Sequence, residues 1–159
     1  MALSNLERMI QLADEVFATK NDPDQLNVDQ DVLERLLMIH PSSVSAYDDG
    51  NGPVAWVLLI PTTTYLMNRF LENEISEKEM FNLTPLNIQY DAIYLCSALV
   101  LDEYRRKGIT RKLALAAIES IQKDHPLQAA FVWAFSSEGD LAAENIARSA
   151  GLSLYKKEK

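Results

Sequence analysis

Residues 92–118 read AIYLCSALVLDEYRRKGITRKLALAAI. Ten residues of a β-strand pattern run into five Lys or Arg packed around Gly108. A helical apolar pattern starts immediately afterwards, with Ile109, Leu113, Ala116, Ala117 and Ile121 on one side. A helix N-terminus already carries unpaired N–H groups and about half a positive charge, so a cation there costs about 0.3–1 kcal/mol. Arg105, Arg106, Lys107, Arg111 and Lys112 therefore oppose the helix unless an anion joins them, when amides, dipole and side chains act together. Gly108 fits the second case because a residue without a Cβ lets backbone approach a phosphate. The plainer alternative is a solvated charged turn. Neither G-x-x-x-x-G-K-[ST] nor G-x-G-x-x-G occurs, which excludes the P-loop and the dinucleotide fingerprint.

Outward from this stretch, helices and strands alternate. Leu3, Leu6, Met9, Ile10, Ala13, Val16 and Phe17 predict an amphipathic helix over 3–19, and Val32, Leu36 and Ile39 a second over 28–39, stopped by Pro41. SVSAY (43–47) and PVAWVLLI (53–60) read as strands around the DDGNG turn. Residues 62–90 read as a helix, with Leu66, Phe70 and Leu71 on one side, followed by a polar stretch. AAFVWAFS (129–136) is a strand, and Ser137 with Asp140 resembles a capping box. Ala142, Ala143, Ile146, Ala147 and Ala150 give the next helix a small-residue face that ends at Gly151, and 152–155 makes a last short strand. The order ααββαβαβαβ describes an α/β fold with a mixed central sheet flanked by helices. It is expected as one domain over 1–159, with a helical part over 1–40 and a sheet-containing core over 43–155 that carries 62–90 as an insertion-like segment.

A formal charge of −8 over 159 residues disfavours a generic nucleic-acid or anionic-membrane binder. A single cysteine, Cys96, cannot form an internal disulfide, and no stretch approaches the roughly 20 apolar residues of a membrane span. Glu7 and Arg8 interrupt the apolar run a secretory signal needs, so the cytoplasm is the expected compartment. One Cys and two distant His suggest no zinc site, and no D-x-D-x-D-G loop is present, so no metal is expected.

LVLDEYRRKGITRKLA (99–114) resembles motif A of the GNAT (Gcn5-related N-acetyltransferase) superfamily. That motif ends a central strand with an apolar residue, here Val100, and continues into R/Q-x-x-G-x-G/A at a helix start, here Arg105 to Thr110. Thr110 stands where Gly or Ala is usual. The resemblance implies a GNAT-like fold and acetyl-CoA as acyl donor. The loop residues Arg105, Arg106, Lys107, Gly108, Ile109, Thr110 and Arg111 would hold its pyrophosphate. Main-chain groups of Ala98, Leu99 and Val100 would pair with pantetheine as an extra strand. A second motif, N-x-x-A-x-x-x-Y-x-x-x-G-F, is matched at Ala143 and Gly151. Asp140 replaces an Asn that contacts the coenzyme, and Ala147 replaces the Tyr proposed as general acid. The implied acceptor is a small amine or a peptide amine, attacked directly in a ternary complex. A homodimer is compatible with this reading; nucleic-acid and membrane partners are not expected.

The chemistry is thinner. Strand alternation predicts Tyr94, Cys96, Ala98 and Val100 on one face. Many members of the superfamily carry a Glu at one of the first two positions as base, and this chain carries Tyr and Cys. Tyr94 is a candidate relay or hydrogen-bonding group, or a core tyrosine. Cys96 is a candidate nucleophile, or core filler. Ser136 is a candidate proton donor to the leaving thiolate, or a helix cap. Glu72, Glu74, Glu77 and Glu79 either favour a cationic substrate or form a solvated helix face. A fold of this type that binds acyl-CoA or a protein without turnover, and an anion-sensing domain unrelated to CoA, are the competing expectations.

Overall fold

In the computed structural model, which describes residues 4, 5, 7–9, 11, 12, 15, 30–133 and 137–157, the DDGNG segment is the turn of a hairpin. β1 (Val44–Asp48) and β2 (Pro53–Thr62) pair antiparallel. The Asp48 carboxylate accepts from the N–H groups of Gly50 (2.7 Å) and Gly52 (3.1 Å), which takes the place of missing ladder bonds. β3 (Ala92–Val100) lies antiparallel to β2, and β4 (Ala129–Val132) and β5 (Ser153–Lys156) follow in parallel. The strand order is β1-β2-β3-β4-β5, a mixed sheet.

The helices that cover it include α1 (Gln30–Ile39), α2 (Thr64–Leu71), α3 (Glu77–Leu83), α4 (Ile109–Asp124) and α5 (Ser137–Ala150). Because side chains alternate along a strand, β2 and β3 send apolar groups to both faces. On one face Val57, Leu59, Ile93 and Ala130 meet Ala114, Ala117, Ile118 and Ile121 of α4 and Ala147 of α5. The opposite face buries Leu58, Ile60, Tyr94 and Phe131 under Leu36 and Ile39 of α1, Leu66, Met67 and Phe70 of α2, and Met80 and Phe81 of α3.

The segment expected as one helix over 62–90 is two. α2 stops in a Schellman turn: Asn73 takes φ 62°, its N–H bonds to Phe70 O (3.1 Å), and Glu74 N–H bonds to Arg69 O (2.9 Å). Ser76 and Glu79 then form a reciprocal capping box that starts α3. β4 is also shorter than expected. Its ladder ends at Val132, and 134–136 lie outside the described residues, Ser136 among them.

Asn5, Glu7–Met9, Gln11, Leu12 and Glu15 are helical; the rest of the helix expected over 3–19 lies outside the described residues. Met9 is fully buried against Val54, Leu99 and Leu101, and Arg8 makes a bidentate ion pair with Glu103 at 2.5 and 2.6 Å. That pair ties the N-terminal part to the segment that follows β3. The guanidinium holds the Glu103 carboxyl down from 4.5 to about 2. A depressed carboxylate contributes stability that is fully present above about pH 4.5 and is lost as pH falls toward 2. In an NMR titration the Glu103 carboxyl of the native protein should have its midpoint near 2, and Arg8→Ala should return it toward 4.5.

Candidate functional site

β3 pairs with β2 from Ala92 to Val100 but with β4 only from Ala92 to Tyr94. From Leu95 onward its second edge has no strand partner among the described residues. The cause is visible in the register with β2. Leu59 stands opposite Leu95 and Leu58 opposite Ser97, so Cys96 is an extra residue in a β-bulge. A bulge bends and twists its strand and shifts the alternation by one.

The expectation that Tyr94, Cys96, Ala98 and Val100 share a face is therefore corrected. Tyr94 and Cys96 pack in the cluster under α2 and α3, whereas Ala98, opposite Val57, has moved to the α4 side of the sheet. Ala98 is exposed despite its place in a central strand. Leu101 N–H bonds to Val54 O (2.9 Å), so by alternation the amides of Leu99 and Leu101 face β2, and those of Ala98 and Val100 point into the split.

The basic loop begins where the split is widest. Asp102–Tyr104 forms one 3-10 turn, Arg106 takes φ 63°, and Gly108 takes φ 73° as the N-cap of α4. Gly108 offers no capping side chain, so the first-turn N–H groups of α4 receive no acceptor from their own cap. A left-handed non-glycine residue is uncommon and costs about 1–2 kcal/mol, so the loop is held in its shape by its surroundings. Tyr104 supplies some of that hold: its hydroxyl donates to the Asp49 carboxylate of the hairpin turn, and Lys107 Nζ stands 5.4 Å from its ring centroid. Val100, Asp102, Arg105, Arg106 and Thr110 line an open cleft of about 740 Å³. Within it Arg105 lies 3.7 Å from Asp102, while Arg106 has no polar partner among the described residues. Arg111 turns aside to Ser149 Oγ (3.2 Å). The structure thus brings Val100, Arg105, Arg106 and Thr110 to one cleft, next to Gly108 at the N-terminus of α4.

Of the residues expected to act on an acyl group, Tyr94 is almost wholly buried. Its hydroxyl donates to the carboxylate of Glu77, itself buried, and packing pushes the phenol pKa well up, with the Glu77 charge adding to the effect. Cys96 is half-buried at the bulge. Asp140 sits in the first turn of α5, and its Oδ1 is buried with no hydrogen-bond partner among the described residues. Among those residues no group of three His, Cys, Asp or Glu converges to hold a metal ion.

Glu77, grouped in the sequence with glutamates that either favour a cationic substrate or form a solvated face, is the first residue of α3 and is buried. The S-x-x-E pattern at 76–79 fixes that helix start and could have singled it out, since Glu79 turns back to the Ser76 N–H (3.1 Å) while Glu77 faces the sheet. Removing the carboxylate leaves a buried hydroxyl unpaired, which costs about 1–3 kcal/mol. Urea unfolding of Glu77→Ala should show a loss of about that size, and adding Tyr94→Phe should recover part of it.

No family model matches the sequence, and no curated protein is similar to it. Solved structures do share its architecture. One is the aminoglycoside acetyltransferase meta-AAC0020 from an uncultured soil metagenomic sample, solved in complex with trehalose. It is 21% identical, with 93% of this chain and 83% of that chain aligned at a TM-score of 0.51. Another is Naa20 of Chaetomium thermophilum in complex with a bisubstrate analogue, 12% identical at a TM-score of 0.51, where 89% of this chain covers 64% of the other. The split sheet, the order of its strands and these likenesses agree: the chain has the fold of the GNAT acetyltransferases.

Proposed function

We propose that the protein is an acyl-CoA-dependent N-acyltransferase of the cytoplasm that moves acetyl from acetyl-CoA to a primary amine, by direct attack in a ternary complex. One observation carries this reading. A strand edge whose amides at Ala98 and Val100 have no partner strand among the described residues runs into a left-handed basic loop and a helix N-terminus without a side-chain cap. An extended amide-bearing chain that ends in a diphosphate has the complementary chemistry: β-augmentation along the strand and anion binding at the helix. Acetyl-CoA is such a molecule, and bound there it supplies an activated thioester.

Arg105, Arg106, Lys107, Gly108, Ile109, Thr110 and Arg111 would hold the diphosphate, and the main chain of Ala98 to Val100 the pantetheine. The unpartnered Asp140 Oδ1 is suited to accept a coenzyme N–H. The Val100 amide is aimed to stabilise developing negative charge on a carbonyl oxygen in the split. Cys96 and Tyr94 stand on the opposite side of the bulge from the loop, where an incoming amine would approach. Tyr94, locked to Glu77, acts there by positioning and hydrogen bonding. Ser136 is the proposed proton donor to the thiolate. The competing reading, coenzyme binding without turnover, has one observation in its favour: no carboxylate occupies the strand positions from which a base would reach the split, and the phenol at one of them is buried.

Thermal unfolding tests the site. A ligand at 100 times its dissociation constant adds about 2.7 kcal/mol, several degrees for a domain of this size. Acetyl-CoA and CoA should raise the midpoint and ATP and NAD should not. Gly108→Glu should abolish the coenzyme shift in a folded protein. A Cβ at that position meets nothing within 4 Å, so the backbone strain of about 1–2 kcal/mol is the main folding cost. An unchanged coenzyme affinity in that variant retires the assignment. Thiol release with a panel of amines then separates turnover from binding alone.

A further inference from the structure

The cluster under α2 and α3 reaches solvent at one polar group that the proposed reaction does not use. Phe131, the last β4 residue paired with β3, faces this cluster, and Trp133, two residues on, faces the same way past the point where the strands part. On the neighbouring strand Tyr155 is opposite Phe131, so the residue two positions after it, Lys157, follows on the same side. Its N–H is anchored to Val132 O at 2.9 Å. Its ammonium lies over two aromatic faces, 4.3 Å from the Phe70 centroid and 4.5 Å from the Trp133 centroid. The two rings stand edge-to-face with centroids 6.2 Å apart. Phe70 in turn packs edge-on against Tyr94, which is bonded to the Glu77 carboxylate. Lys157 forms no ion pair with a described carboxylate, unlike its neighbour Lys156, which reaches Glu144 at 2.5 Å.

An ammonium held between two ring faces is bound by the ring quadrupoles and by contact of its alkyl stem with apolar walls. A site that accepts a lysine side chain accepts any slim alkylammonium of the same reach. The two ring faces themselves offer no hydrogen bonds to a polyhydroxylated amine. The site lies just beyond the end of the β3–β4 pairing, on the face of the sheet that carries Tyr94 and Cys96. We propose that Phe70 and Trp133 recognise the ammonium end of an alkylamine acceptor, and that Lys157 fills this site as an internal competitor which the acceptor displaces. The assignment of the occupant as an acceptor rests on the acyl-transfer reading; the cation site itself does not.

Two measurements without coenzyme decide the cation site. In the native protein, pulse acetylation with an N-hydroxysuccinimide ester, read by mass spectrometry, should label Lys157 more slowly than the exposed Lys78 and Lys112. Tetramethylammonium chloride should speed Lys157 labelling several-fold where sodium chloride at equal ionic strength does not. In Lys157→Ala, n-butylammonium should bind at least tenfold more tightly than in the native protein, followed by tryptophan fluorescence in a Trp56→Phe background. Adding Trp133→Leu, which removes the last tryptophan, should abolish that binding as followed by isothermal titration calorimetry. Labelling of Lys157 that ignores tetramethylammonium, or equal butylammonium affinity with and without Lys157, overturns the site. The acceptor assignment is read separately: Lys157→Ala should lower KM for an alkylamine by a similar factor, and an unchanged KM beside a confirmed cation site overturns it. Failure of acetyl-CoA to bind would remove the acyl-transfer reading and leave the ammonium result standing.

Discussion

The extra residue at Cys96 is the constraint from which the cleft follows. Without it β3 would pair on both edges along its length, as a central strand does when its neighbours are in register. The bulge leaves the β2 ladder intact, because an antiparallel pair absorbs one unpaired residue as a local twist. Among the described residues the parallel pairing with β4 stops after Tyr94. The result is a strand whose backbone donors at Ala98 and Val100 are presented to whatever enters, at no expense to the core on either side. Unpaired strand edges are normally covered or blunted, because they recruit other chains. Here the edge belongs to the middle strand of the sheet, with β4 and β5 beyond it.

The loop that follows solves a second problem, how to hold five cations near the positive end of a helix. Their repulsion is tempered locally, since Asp102 lies near Arg105, the Tyr104 ring near Lys107, and Ser149 near Arg111. The Arg8–Glu103 pair and the Tyr104–Asp49 bond clamp the turn from the N-terminal part and from the β1–β2 hairpin. Two left-handed residues, Arg106 and Gly108, then turn the backbone so that α4 starts abruptly and without a side-chain cap. Such a loop is organised before any anion arrives, which lowers the ordering cost of binding one.

Much of this was readable from residue order, and the failures share a cause. The two long apolar strands, the hairpin turn, α4 and the α5–β5 unit are local patterns: periodicity, turn residues and caps act within a few positions. The bulge at Cys96 leaves no local mark, because AIYLCSALVL alternates as well with the extra residue as without it; only the register against Leu58 and Leu59 reveals it. The inference about a shared face failed for that reason. The break between α2 and α3 was visible in principle, since Ser76 and Glu79 spell a capping box, but the apolar spacing of 66–71 runs on smoothly enough to hide it. Glu77 and Lys157 were missed because charge is usually solvated, and each is placed by a partner far away in sequence, Tyr94 for one and Phe70 for the other.

Those same long-range pairs bear on how a chain without a carboxylate base could move an acyl group. A general acid or base is worth about 10²–10⁴ in rate. Orienting two reactants is worth more, up to about 7–11 kcal/mol of the barrier. On the proposed reading the molecule would rely on the second effect, with a strand edge to fix an extended donor, a clamped loop for its anion, an amide for the carbonyl oxygen, and an aromatic pair to hold an ammonium. An ammonium held over rings is also an ammonium kept protonated, however, and it must lose that proton before it attacks. An acceptor recognised by Phe70 and Trp133 therefore either carries a second amine that reaches the thioester while the first is held, or leaves the rings to react. The first arrangement keeps the recognised cation and the reacting neutral amine apart, so that binding and proton loss do not oppose each other. On this argument a diamine is a better acceptor than a monoamine of equal length, and the rank of the two in a turnover assay reports which arrangement the protein uses.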